Sequence, residues 1–136
     1  MENSYLHHVS VPTKEVAKAA SFYTDVLGFT VAPRPPFAID GRWLRLGAAE
    51  VHVTYVPDGT FPATRVVGSD DIHFAIRIDD FGAIIERLRK SGYRDDLAHD
   101  DPKRIIVKPK SMAGYSQVYV MEHDFHLIEI NAAFKS

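Results

Sequence analysis

The stretch "LHHVSVPTKEVAKAASFYTDVLGF", residues 6–29, joins two kinds of periodicity. Its opening "LHHVSV" alternates as a short strand, and the rest repeats apolar residues at helical spacing. Val16, Ala19, Ala20, Tyr23 and Leu27 form one stripe, with Thr13 as the expected cap and Gly28 as the stop. The same sequence of events recurs in "IHFAIRIDDFGAIIERLRKSGY", residues 72–93. There Phe81, Ile84, Ile85 and Leu88 make the stripe, Asp79 or Asp80 the cap and Gly92 the stop. Sliding one half over the other lays His8 on His73, Val11 on Ile76, Val16 on Phe81, Ala20 on Ile85 and Tyr23 on Leu88. The chain is an internal repeat.

Further strands are expected at "RWLRLG", "EVHVTYV", "RIIVKP", "SQVYVME" and "FHLIEIN", set off by Pro, Gly and Asp clusters. The predicted fold is therefore α+β, two β-α-β-β-β modules at about 5–57 and 70–132 within a single domain spanning 1–136. The segment "PDGTFPATRVVGS", 57–69, reads as a connection between modules.

Composition narrows the function classes. The chain has 136 residues, 46% hydrophobic and 25% charged, as in ordinary globular domains. A formal net charge of -2 with both signs interspersed gives no case for nucleic acid or an anionic membrane as partner. The one basic cluster, "DPKRIIVKPK" at 101–110, reads as a solvated edge strand. Cysteine is absent, so any metal must be held by His, Asp or Glu. With no leader-like N-terminus and no long apolar run, a cytoplasmic protein is expected. Nucleotide loops, HExxH helices and GxSxG elbows are missing.

The repeat also singles out chemistry. His8 and His73 occupy the same place in duplicated strands, while "VHV" at 51–53 and "IEI" at 128–130 make His52 and Glu129 counterparts. If first and last strands of each module are neighbours, each module contributes a pair. Nitrogen and oxygen donors of this kind suit Ni, Co, Zn, Mn or Fe(II) better than Mg or Ca. Glu129, flanked by apolar residues, would be costly to bury without a cation or several hydrogen bonds. Alternation sends His7 to the face opposite His8, so His7 is expected to be dispensable. "PRPPFAIDGRW", 33–43, offers Arg34, Phe37 and Trp43 as pocket residues, and Tyr55 and Tyr119 lie on strands near the proposed donors.

These stretches, with "VHVTYVP" and "QVYVMEHDFHLIEIN", resemble the vicinal oxygen chelate superfamily of glyoxalases, bleomycin-resistance proteins and extradiol dioxygenases. The resemblance implies a cavity enclosed by curved mixed sheets, a divalent metal on His8, His52, His73 and Glu129, and a homodimer. It further implies a glyoxalase-type lyase or isomerase acting on a small vicinal-oxygen substrate through a metal-stabilised oxyanion. Glu129 would shuttle a proton, with His52 a fourth ligand or an acid–base group. The alternatives are an Fe(II) extradiol-type dioxygenase and a metal-free drug- or metabolite-binding resistance protein. Relatives often carry Asp-Pro-Asp-Gly before the last strand. Here "EHDFH", 122–126, puts Phe125 in place of glycine, and a different turn geometry is expected.

Overall fold

A computed structural model describes residues 1–135, which divide into two compact units, Met1–Phe61 and a second beginning at Pro62. The boundary falls inside the Pro- and Gly-punctuated connection read from the sequence. Each unit carries one helical segment and one four-stranded sheet, so the α+β class and the β-α-β-β-β modules are as expected.

In the first unit, β1 (His8–Thr13) leads into helix α1 (Val16–Ser21), which continues as a π-helical turn over Phe22–Val26. Leu27 N–H donates to Phe22 O, and Gly28, at φ 83°, ends the segment as predicted. Thr13 does not cap the helix. Glu15 holds that position without a side-chain cap, and Thr13 Oγ1 instead accepts from Glu15 N–H at 3.0 Å. Strands β2 (Thr30–Ala32), β3 (Gly41–Leu46) and β4 (Ala49–Tyr55) follow, in sheet order β1-β4-β3-β2. The three-residue β2 escapes the sequence pattern because it is too short to show alternation and runs straight into "PRPP". Ala19, Tyr23, Leu44 and Val53 are fully buried and form the apolar side of this unit.

The second unit repeats the plan with β5 (His73–Arg77), α2 (Phe81–Lys90), β6 (Ile106–Lys108), β7 (Tyr115–Met121) and β8 (Leu127–Ala133), in order β5-β8-β7-β6. Asp80 caps α2 by accepting from Ala83 N–H at 3.0 Å. Ile84 and Leu88 are the buried part of its stripe, and Ile128, Ile130, Val118 and Val120 are buried on the strands. The basic segment ends as edge strand β6, as its proline and alternation suggested.

In both units the outer strand runs parallel to the last one. Ser10 lies opposite His52 and His8 opposite Glu50, while Ala75 lies opposite Glu129 and His73 opposite Leu127. The two registers superpose position by position, so the repeat extends to strand pairing. Because side chains alternate, His8, His52 and Trp43 share one face of the first sheet. His73, Glu129, Tyr119 and Asn131 share one face of the second.

In the turn from β7 to β8, Phe125 itself adopts φ 68°, the left-handed region that favours glycine. Its strain is offset locally. Phe125 N–H donates to Glu122 O at 2.9 Å, Arg65 lies 4.3 Å over its ring, and it packs on Val67, Tyr119, Met121 and Leu127. Glu122 ties the same turn, its Oε1 accepting from the backbone N–H of Asp124 and of His126 at 2.8 Å each. The other oxygen, Oε2, is buried with no hydrogen-bond partner among the described residues. Burial pushes the Glu122 carboxyl up to about 8, with Asp124 adding to the shift and the two backbone donors opposing it. The native chain therefore holds a proton that the unfolded chain releases above its ordinary 4.5, and stability falls as pH rises from about 4.5 to about 8. Glu122→Gln should match the wild type within about a degree near pH 5 and melt a few degrees higher at pH 8, read by circular dichroism. A difference that does not change with pH would refute this account of the turn.

Candidate functional site

The second unit builds its pair of chemical residues with their orientation fixed. His73 Nδ1 lies 2.7 Å from the carbonyl oxygen of Asp71. A carbonyl only accepts, so Nδ1 carries the proton and the Nε2 lone pair is left open. That nitrogen is 3.5 Å from Glu129 Oε1. Glu129 is 5% exposed and buried in a polar network. Tyr119 OH donates to Oε1 at 2.9 Å, Asn131 Nδ2 donates to Oε2 at 2.5 Å, and Gln117 Nε2 donates to Tyr119 OH at 3.2 Å. Arg77 Nε in turn donates to Asn131 Oδ1 at 2.5 Å. Burial alone would raise the Glu129 carboxyl. The hydrogen bonds from Asn131, Tyr119 and Gln117 outweigh it and hold the group below the usual range. Burial, followed by the bond to Glu129, pushes the Tyr119 hydroxyl up to about 12, so it remains a donor. The result is an ionised, immobilised carboxylate beside an imidazole lone pair.

This pair fits a metal ion. Two donors each about 2.1 Å from one tetrahedral ion stand about 3.4 Å apart, close to the 3.5 Å between His73 Nε2 and Glu129 Oε1. The bond from His73 to the Asp71 carbonyl is the kind of outer contact that orients a ligating histidine.

The first unit arranges its pair differently. His52 is sandwiched between two rings, Trp43 at 4.1 Å and 5°, and His8 at 4.0 Å and 16°. Its Nε2 is 2.8 Å from Glu50 Oε1, and Arg45 donates to Glu50 Oε2 through Nε at 3.2 Å and a terminal nitrogen at 2.8 Å. His52 first and Arg45 second lower the Glu50 carboxyl below its ordinary range, so Glu50 is the anion and His52 Nε2 the donor. Imidazole lone pairs lie in the ring plane, and nearly parallel planes 4.0 Å apart do not meet at one ion. As oriented, His8 and His52 are not a ligand pair. Neither unit by itself gathers three His, Asp or Glu side chains able to hold an ion among the described residues.

His7 does not point away as alternation suggests. It precedes β1, and its Nδ1 lies 2.9 Å from His8 Nδ1. When His8 donates in that bond, its Nε2 is left open. Arg34, Phe37 and Trp43 all line one cavity with His52, whereas Tyr55 does not. Tyr55 stands at an odd position on β4 and faces the opposite side of the sheet from His52, 44% exposed. Tyr119 lies opposite Glu129 and bonds to it. Sequence reasoning overlooked Glu50, Arg45, Gln117 and Asn131. The signal was present as polar residues two apart on one face, Glu50 with His52, Gln117 with Tyr119 and Glu129 with Asn131.

Comparison with known proteins agrees with the fold. A family model described as the Glyoxalase/Bleomycin resistance protein/Dioxygenase superfamily matches residues 5–128. The mitochondrial methylmalonyl-CoA epimerase of Mus musculus is 29% identical, over 80% of this chain and 68% of the mouse protein. A glyoxalase family protein of Bacillus anthracis superposes with a TM-score of 0.75 at 18% identity, covering 96% of each chain. A bleomycin-binding protein complexed with bleomycin gives 0.69 at 16%, covering 97% of this chain and 100% of that one. A mutant of the fosfomycin resistance protein FosX of Listeria monocytogenes, complexed with Mn(II) and 1S,2S-dihydroxypropylphosphonic acid, gives 0.69 at 15%, covering 96% and 93%.

Tyr119→Phe removes one of the hydrogen bonds that keep Glu129 ionised. It should lower the unfolding free energy by about 1–2 kcal/mol at pH 7 and raise the Glu129 titration midpoint seen by carboxyl-carbon NMR. The stabilisation from Glu129 is present above pH 4.5 and lost as pH falls through its lowered native pKa, so variant and wild type should converge in acid. An unmoved Glu129 midpoint would contradict the network.

Proposed function

Because the chain belongs to the Glyoxalase/Bleomycin resistance protein/Dioxygenase superfamily, we propose that it is a divalent-metal-dependent isomerase or lyase of glyoxalase type acting on a small substrate with vicinal oxygens. The observation that carries this reading is the His73–Glu129 pair, an oriented lone pair 3.5 Å from an ionised, buried carboxylate. Likeness to an epimerase favours the isomerase side of it. Members of the same fold take small molecules, bleomycin in one case and a phosphonate with Mn(II) in another.

In this reading His8, His73 and Glu129 are the metal donors, and the ion is one of Ni, Co, Zn or Mn. A bound ion supplies Lewis-acid stabilisation of charge developing on a substrate oxygen. His52, with Nε2 held by Glu50 and its ring clamped by Trp43, is the acid–base group; to serve as a fourth donor it would have to leave both. Glu129 is the second proton-handling group. Its lowered pKa keeps it ionised, the form able to receive a proton, and Tyr119, Asn131 and Gln117 hold it in place between transfers. We place the protein in the cytoplasm as a homodimer; among the described residues no helix is long and apolar enough to cross a membrane.

The Glu50–His52 pairing favours one second reading, because with His52 engaged by Glu50 the proposed donors are two histidines and one carboxylate, the set of non-haem Fe(II) oxygenases. Elemental analysis of protein purified without chelator separates the two. Near-stoichiometric Ni, Co, Zn or Mn is expected for the isomerase, oxygen-labile iron for the oxygenase, and absence of any metal would overturn both. His8→Ala and His73→Ala should each lose the ion, whereas His7→Ala should weaken it about tenfold by freeing His8 Nδ1. Incubation of methylmalonyl-CoA in deuterium oxide is the first activity assay. Exchange of its α-proton should fall at least a hundredfold in Glu129→Gln, and full activity with full metal in that variant would exclude Glu129 from proton transfer.

A further inference from the structure

The face of the first sheet that carries His52 floors a cavity of about 410 Å³. Arg34 is the one Lys, Arg, Asp or Glu side chain lining it among the described residues, beside Phe37, Trp43 and the hydroxyl residues Ser10 and Thr54. Several contacts hold Arg34 in place. A terminal nitrogen donates to Ile39 O at 2.7 Å, and the guanidinium carbon lies 5.0 Å from the Phe37 ring centroid. Gly41 backs the guanidinium: a Cβ there would stand 2.9 Å from that nitrogen and 2.5 Å from Val53 O. Arg34 Nε is nevertheless buried with no hydrogen-bond partner among the described residues. A positioned cation in a cavity that offers no acid to neutralise it is a half-made recognition site.

Phe37 and Trp43 provide the rest, with ring centroids 6.1 Å apart and planes tilted by 50°. We infer that this cavity binds a carboxylate carried on a flat apolar or aromatic group, with Arg34 pairing with the carboxylate and Phe37 and Trp43 covering the apolar part. The planar guanidinium matches the two oxygens of a carboxylate, whereas a phosphate dianion would find only one fixed cation here. Ser10 and Thr54 hydroxyls serve a further polar group of the ligand. The inference rests on the proposed function only in taking this cavity as the substrate's place; binding itself needs neither an ion nor turnover.

Trp43 is the single tryptophan of the chain, so its fluorescence reports the cavity directly. Titration of the full chain, with and without EDTA, uses phenylacetate, phenylacetamide and inorganic phosphate as probes. Phenylacetate should change Trp43 emission saturably, phenylacetamide should bind at least tenfold more weakly, and phosphate should not compete at equal concentration. Arg34→Gln should bring the acid and the amide to equal affinity, and Arg34→Lys should recover only part of the preference because it keeps the charge and loses the planar fork. The acid-to-amide comparison on the wild type stands even if a variant fails to fold. Equal affinity for the two, no saturable response to phenylacetate, or tighter binding of phosphate would overturn the proposal. Loss of activity or metal with this preference intact would count against the proposed function alone.

Discussion

The register between the first and last strand of each unit is the constraint on which the rest depends. Sliding β8 by one residue against β5 would carry Glu129 to the side now held by Ile128 and Ile130, and would set those two among the polar groups instead. A bare carboxylate on an apolar face costs several kcal/mol, while the observed register gives it Tyr119 and Asn131 as donors. Apolar burial and polar satisfaction therefore select the same pairing. In the first unit the apolar Val51 and Val53 on one side and Glu50 and His52 on the other impose the same choice.

Equivalent positions have acquired different chemistry. Where the second unit has a carboxylate fixed by neutral donors, the first has an imidazole fixed by a carboxylate and two flanking rings. Glu50, which answers to Leu127 in the repeat, makes the difference. It supplies a negative partner for His52, and Arg45 keeps that partner ionised. The second unit has no such acid at Leu127 and leaves His73 Nε2 facing Glu129. Duplication of a backbone plan thus yields one unit with a buried carboxylate fixed beside an imidazole and another with an imidazole fixed by a carboxylate and two rings.

The parts of the fold that depend on periodicity were legible in the sequence. The two apolar stripes, the glycine stops at Gly28 and Gly92 and the histidines opening each module specify the repeat. What failed depends on contacts that spacing does not encode. The π-helical turn after Ser21 differs from α-helix by one residue in hydrogen-bond partner, and its apolar stripe looks the same. Phe125 takes a glycine conformation because Glu122, Arg65 and a small apolar cluster hold it there. His7 meets His8 because it lies before the strand, where alternation no longer applies. Of the site, sequence pattern nominates His52 and Glu129 as counterparts, but their roles are set by partners two residues along the same strand, Glu50 and Asn131, together with Trp43, His8 and Tyr119 from neighbouring strands.

Joint coordination of a divalent ion by His73 and Glu129 is open to X-ray absorption at the metal edge of the purified, metal-loaded protein. The expected spectrum is an N/O shell with imidazole scattering that loses one histidine in His73→Ala and one carboxylate oxygen in Glu129→Ala. A shell of water and carboxylate oxygens alone, unchanged by either substitution, would contradict it.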